Sequence, residues 1–276
     1  MSRMSDWLSI TRGDAPLLLS IPHAGTDLRE LEARFVSPWL ARKDADWWLP
    51  QLYGFAAGLG ATIVHTSVSR SVIDVNRDPS GHSLYPGLAT TELCPTTTFD
   101  GEPLYPADSP LTPDEIARRR ARYFDPYHTA LREEISRLRE RHPRVVIYDC
   151  HSIRSRIPRL FDGELPQFNI GSNDGRACAA ALSDAVAAVC AGTPYSHVVN
   201  GRFKGGYITR AFGQPETGVH ALQMELGCRG YMREPDSAPT PDNWPTPFVP
   251  DFAMPLRTVL ETVLARCIEF AQSPSA

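Results

Sequence analysis

The chain lacks any apolar run approaching the ~18 residues that a membrane span requires, and residues 1–14 carry Arg3, Asp6, Arg12 and Asp14 where a secretory leader needs an unbroken apolar core. These absences predict a soluble, cytoplasmic protein with no membrane partner. It also lacks an excess of either charge: a net charge of -4 offers no broad attraction to nucleic acid, so a small molecule is the expected partner. Paired cysteines are missing too. The six cysteines (Cys94, Cys150, Cys178, Cys190, Cys228 and Cys267) have no close spacing, which excludes a zinc ribbon and a disulfide framework. Internal repeats and low-complexity tails are absent. What remains, 276 residues with 42% hydrophobic content, is enough to bury a full core as one domain spanning 1–276, with a monomer as the simplest assembly.

Apolar runs alternate with helical patterns along that domain. Leu17 to Ile21, Ser71 to Ile73, Val145 to Tyr148 and Val219 to Met224 read as buried strands. The clearest helix starts at Thr112-Pro113-Asp114-Glu115, where Thr112 can cap, Pro113 fits the first turn and Glu115 can reach back. Its apolar positions continue to Leu138, with a bend expected near Pro126 and a stop at His142-Pro143. Further helices are expected from about 46 to 58, 174 to 190 and 254 to 271. The alternation predicts an α/β fold, a mixed and mostly parallel sheet flanked by helices. Two segments lack periodicity. Residues 79–110, rich in Pro, Gly, Thr and Asp, form a loop long enough to expect a functional role; 234–250, with prolines at 235, 239, 241, 245, 247 and 250, reads as an extended surface crossing.

Polar groups stand where the apolar runs end: Pro22-His23-Ala24-Gly25, Asp74-Val75-Asn76-Arg77, Asp149-Cys150-His151-Ser152 and Met224-Glu225-Leu226. Strand ends of an open α/β sheet converge on one rim, so two histidines, a carboxylate and an Asn-Arg pair point to a metal-dependent hydrolase. An isolated histidine is more often a satisfied structural group, but His23 and His151 strengthen one another as ligands of a divalent ion such as zinc. A catalytic zinc takes three protein ligands, and Asp44 and Asp46 are both candidates for the third; the competing reading of either is an acidic first helical turn. Glu225, on the same strand face as Gln223, suits a general base and acid, or else a buried partner for an arginine. Arg77 suits bidentate recognition of a carboxylate or polarisation of an acyl oxygen. Arg70, Arg154 and Arg210 fall in or beside the same segments, and the cluster suggests an anionic substrate. Strand alternation turns Cys150 away from the His151 face, leaving it as packing. Gly205-Gly206 suits a close backbone approach to a ligand. His128, in the long helix, reads as structural.

These segments, taken in order, resemble the N-formylglutamate amidohydrolase family. The resemblance also takes in Asp46-Trp47, Thr98-Phe99-Asp100-Gly101, Tyr127-His128, Phe168-Asn169-Ile170-Gly171 and Gly205 to Arg210, and spans about residues 15 to 232. More distantly, the order of His, acid, Asn-Arg, His and Glu is similar to that of zinc carboxypeptidase-like hydrolases. The resemblance implies one zinc ion held by His23, Asp46 and His151, with Glu225 as general base and acid and Arg77 near the scissile carbonyl. Those carboxypeptidases carry a glutamate three residues after the first histidine; Thr26 stands there in this chain, and Asp46 is chosen because it lies in a matching segment. The implied reaction is hydrolysis of N-formyl-L-glutamate to formate and L-glutamate, a step of histidine degradation, with Arg70, Asn76, Arg154 and Arg210 as the substrate-binding pool. The alternatives are an amidase or carboxypeptidase-like hydrolase of another N-acyl acidic amino acid and a metal-free dicarboxylate-binding protein.

Overall fold

A computed structural model describes residues 6–273. Seven strands form one sheet: β1 (Leu8–Thr11), β2 (Leu17–Ile21), β3 (Thr62–Thr66), β4 (Val145–Ile153), β5 (Phe168–Gly171), β6 (His197–Val199) and β7 (Val219–Gly227), in the order β1-β3-β2-β4-β7-β5-β6. The pairs β3/β2, β2/β4, β4/β7 and β5/β6 are parallel; β1/β3 and β5/β7 are antiparallel. The mixed, mostly parallel sheet flanked by helices is therefore as the sequence predicts. The helices are α1 (Leu40–Lys43), α2 (Leu49–Leu52), α3 (Pro113–Arg119), α4 (Asp125–Arg139), α5 (Ala180–Ala191), α6 (Tyr207–Phe212) and α7 (Pro250–Gln272). None of them is long and apolar enough to cross a membrane.

Strand alternation assigns the two faces. Leu17, Leu19, Ile21, Val146, Tyr148, Cys150, Leu222 and Met224 pack with residues of α2, α5 and α7. Leu18, Val64, Val145, Ile147 and Ala221 point the other way, into a second core with Tyr127, Leu131, Ile135 and Leu138 of α4. Both faces are covered, which is why β2, β4 and β7 are buried along their whole length. The same parity puts His151 and Glu225 on the α4 side of the sheet, beyond the apolar layer, and turns Cys150 into the opposite core.

The structure differs from the sequence reading at several elements. Ser71–Ile73 is not a strand but a buried turn: the Ser69 carbonyl accepts from Val72 N, and Ser69 Oγ accepts from Ser71 N and donates to the Ala41 carbonyl. A three-residue apolar run carries the same burial signal in a turn as in a strand. Thr112 does cap α3, accepting from Glu115 N. Between α3 and α4 the chain widens into a π-helical turn, Arg120–Phe124, because Pro126 has no N–H to give to a helical carbonyl and its ring crowds that carbonyl. The helix expected over 46–58 is two short pieces, α2 and a 3-10 turn at Gly54–Leu59; α5 begins six residues later than expected, at Ala180 instead of Asp174, and α7 starts earlier, at Pro250. The crossing at 234–250 is anchored, not merely superficial: Trp244 is buried and its indole N–H donates to the Lys43 carbonyl.

Candidate metal centre and active site

His23 follows β2, and the parallel register of β2 with β4 brings it to the rim where His151 emerges. Asp46 is drawn in by its backbone, whose N–H donates to the His23 carbonyl, 2.9 Å. Its carboxylate accepts from Ser152 N at 3.1 Å. One Nδ1 or Nε2 of each histidine and one Asp46 oxygen lie within 4.8 Å of one another, and all three residues are buried. Asp44, the other acidic candidate, is turned away to accept from Phe99 N at 2.6 Å and from Arg154 at 3.2 Å.

The outer nitrogens of the histidines are held. His23 Nε2 donates to Asp74 Oδ1 at 2.7 Å, and His151 Nε2 lies 3.0 Å from Asp149 Oδ2. A histidine whose Nε2–H is given to a carboxylate presents the Nδ1 lone pair on its inner side, and such carboxylate–histidine pairs fix the ring and the tautomer of metal ligands. His23 Nδ1 and Asp46 Oδ1 are buried without a hydrogen-bond partner, and His151 Nδ1 faces Asp46 Oδ2 at 3.2 Å. The unpartnered His23 Nδ1 and Asp46 Oδ1, with His151 Nδ1 beside them, form an environment that a divalent cation would satisfy by displacing the proton between His151 and Asp46, so the residues fit a zinc-type site.

The ionisation of these groups follows from burial and charge. Burial and the nearby Arg70 lower the pKa of His23. Burial also opposes ionisation of His151, but Asp149 and Asp46 outweigh it and raise its pKa well above the ordinary value. In Asp74 burial is likewise outweighed, by His23, Arg77 and Arg70, which hold the carboxyl well below the usual range. Glu225, cross-strand from His151, is pushed up to about 8 by burial, with Asp46 and Asp149 adding to the effect. A cation between the histidines would oppose that shift and favour the carboxylate.

A cavity of about 50 Å³ opens beside this group, lined by His23, His151, Glu225, Gln223, Arg70, Arg77, Arg202, Phe99 and, from the long loop, Tyr85 and Ala89 to Thr91. Arg70 donates to Asp74 at 2.7 Å and lies over the Phe99 ring at 4.7 Å; Arg77 donates to the carbonyl and hydroxyl of Thr91, both at 3.1 Å. The other expected substrate binders are engaged elsewhere. Arg154 is bound by Asp44 and Asp100, and Arg210 donates to the Gly205 carbonyl; neither lines the cavity. Asn76 does line it, but its amide is tied to His151, Asp149 and Ile208 N. Gly206 lines the cavity and makes a close approach to Asn76: a Cβ there would lie 2.4 Å from Asn76 Nδ2. Asp74, Asp149 and Arg202 were not singled out by sequence reasoning. The two aspartates lie inside quoted motifs; Arg202 has no local signal.

The sequence pattern of the N-formylglutamate amidohydrolases matches residues 15–232. An N-formylglutamate deformylase from Pseudomonas putida is 44% identical over 263 residues, covering 95% of each chain. Another from Pseudomonas aeruginosa is 47% identical over 233 residues, covering 84% of this chain and 87% of the relative. The crystal structure of an N-formylglutamate amidohydrolase from Ralstonia eutropha JMP134 superposes with a TM-score of 0.78 at 25% identity, over 97% of this chain and 99% of that one.

Proposed function

The chain belongs to the N-formylglutamate amidohydrolase family, and from that membership we propose that it hydrolyses N-formyl-L-glutamate to formate and L-glutamate with a zinc ion held by His23, Asp46 and His151. The observation that carries the metal requirement is the buried donor triangle, whose ligand atoms lie within 4.8 Å and whose outer nitrogens are held by Asp74 and Asp149. A divalent ion bound there would supply Lewis-acid polarisation of the formyl oxygen and acidify the attacking water.

The chain's own groups supply the rest. Glu225, buried on the cavity wall, takes the proton from the attacking water and delivers it to the departing amide nitrogen, so that C–N cleavage releases a neutral amine. Its raised pKa, about 8 in the absence of a cation, suits a group that must hold a proton between the two steps. Arg77, which also lines the cavity, would stabilise the oxygen on which negative charge develops. Arg70 adds positive charge beside the site while its guanidinium stays anchored on Asp74. The cavity is small, about 50 Å³, and a formyl group asks for the least acyl space of any N-acyl substrate. The reading places the chain at a deformylation step that yields free glutamate, as in histidine degradation. Formate release from N-formyl-L-glutamate, N-formyl-L-aspartate and N-acetyl-L-glutamate tests it: formylglutamate should be the preferred substrate and the acetyl compound poor. Equal turnover of the acetyl and formyl compounds would contradict the proposal.

A further inference from the structure

Three arginines face the cavity, and they differ in how their charge is balanced. Arg70 has Asp74 at 2.7 Å and Asp46 at 3.7 Å; Arg77 has Asp74 at 3.7 Å. Asp74 must therefore serve both arginines and His23 together. Arg202 has no such partner: among the described residues its hydrogen bonds go to two backbone carbonyls, Leu160 at 2.9 Å from Nε and Ala89 at 2.8 Å from Nη2. Its guanidinium lies 5.4 Å from the Tyr85 ring centroid and 5.2 Å from that of Phe203. The two carbonyls and two rings fix the plane of the group but bring no negative charge. A guanidinium has five N–H donors in a fork shaped for a carboxylate, and the Nη1 edge of this one is left without a protein partner. Burial and the neighbouring Arg77 outweigh Tyr85 and Glu225 and lower its pKa.

Position distinguishes Arg202 from the other two. Arg70 and Arg77 stand against Asp74, which holds His23, and so border the reacting end of the cavity. The hydrogen bonds and ring contacts of Arg202 are instead with Leu160, Ala89, Tyr85 and Phe203, none of which touches Asp74 or His23, although Arg77 and Glu225 are near enough to act on its charge. In an N-formyl amino acid the α-carboxylate is close to the scissile amide, whereas the side-chain carboxylate is several bonds further away. We propose that Arg202 receives the side-chain carboxylate of the substrate and is the residue that selects an acidic N-formyl amino acid over its neutral analogue. This rests on the reading of the site as a deformylase. Tyr85 becomes a positioning residue: its hydroxyl accepts from Lys204 N and donates to the Gly205 carbonyl, pinning the long loop against the segment that carries Arg202.

The test compares N-formyl-L-glutamate with N-formyl-L-glutamine in the wild type, Arg202→Gln and Arg202→Lys. The wild type should favour the acid by about 100-fold or more in kcat/KM, because a charged group built to be paired rejects a ligand that leaves it unpaired. Arg202→Gln should bring the ratio to within about 5-fold, with circular dichroism reporting that the variant is folded; Arg202→Lys should retain part of the preference. Equal loss on both substrates, or an unchanged ratio in Arg202→Gln, would overturn the proposal. If the wild type released formate from neither compound, the deformylase reading would fail by itself. Calorimetric binding of L-glutamate and L-glutamine would then decide on Arg202: a glutamate preference lost in Arg202→Gln sustains it as the carboxylate reader, and indifference in the wild type overturns it.

Discussion

Asp74→Asn isolates the group on which the site's electrostatics turn. Asp74 is fully buried, and its two oxygens take the Nε2–H of His23, the guanidinium of Arg70 and the backbone N–H of Asn76, at 2.7, 2.7 and 2.9 Å, with Arg77 at 3.7 Å. Asparagine keeps the volume and one acceptor but removes the charge, leaving Arg70, itself 6% exposed, with Asp46 at 3.7 Å as its remaining anion. Removing one member of a buried ion pair costs about 3–5 kcal/mol, because the other charge stays desolvated. For a chain of 276 residues the unfolding entropy is roughly 0.6 kcal/mol/K, so the midpoint should fall by about 5–8 °C. Arg70 should also turn toward Asp46, and His23 keeps only a neutral amide acceptor in place of the carboxylate that fixes its ring and raises its basicity, so zinc affinity should weaken about 10- to 100-fold. Calorimetric unfolding of chelated protein reads the first effect and competition with a zinc indicator reads the second. A midpoint within about 1 °C of wild type would refute the claim that Asp74 compensates buried cations, and unchanged zinc affinity would refute its role in orienting His23.

Glu225→Gln should preserve fold, metal content and KM while lowering kcat by at least ~100-fold, the usual scale for loss of a proton-transfer group; near-normal kcat in steady-state formate release would return Glu225 to a structural role. His128 donates from Nε2 to the Val75 carbonyl at 2.8 Å and stacks on Phe212, and burial pushes its pKa down to about 4. The unfolded chain protonates this histidine near pH 6.5 and the folded chain only near 4, so the unfolded state binds more protons in between and stability falls as the pH is lowered through that window, by about 3 kcal/mol from this group. Denaturant unfolding from pH 7 to 4 should show a shallower decline in His128→Gln, which cannot titrate; parallel profiles would disprove it.

The central strands were legible because β2, β4 and β7 are covered on both faces and so read as unbroken apolar runs. Their parity gave the facing of Cys150, His151 and Glu225 as well. Ser71–Ile73 was misread because burial beneath a long loop imitates burial in a sheet. The choice between Asp44 and Asp46 is a matter of backbone direction: the two differ by half a helical turn, and only the bond from Asp46 N to the His23 carbonyl turns its carboxylate inward. Arg154 and Arg210 lie in segments that border the site, yet Asp44 and Asp100 capture the one and the Gly205 carbonyl the other. Arg202 is brought to the cavity by contacts with residues 42 and 113 positions away in sequence, a separation at which no local pattern can register.

The claim that His23, Asp46 and His151 hold a catalytic metal is tested most directly by measuring zinc per chain and formate release together in the wild type, His23→Ala, Asp46→Ala and His151→Ala. The wild type should carry one zinc per chain, lose formate release on chelation and regain it with zinc, and each variant should lose metal and activity in the same proportion. A chelated wild type that deformylates at its full rate, or a His151→Ala variant that keeps one zinc with unchanged affinity, would contradict the assignment.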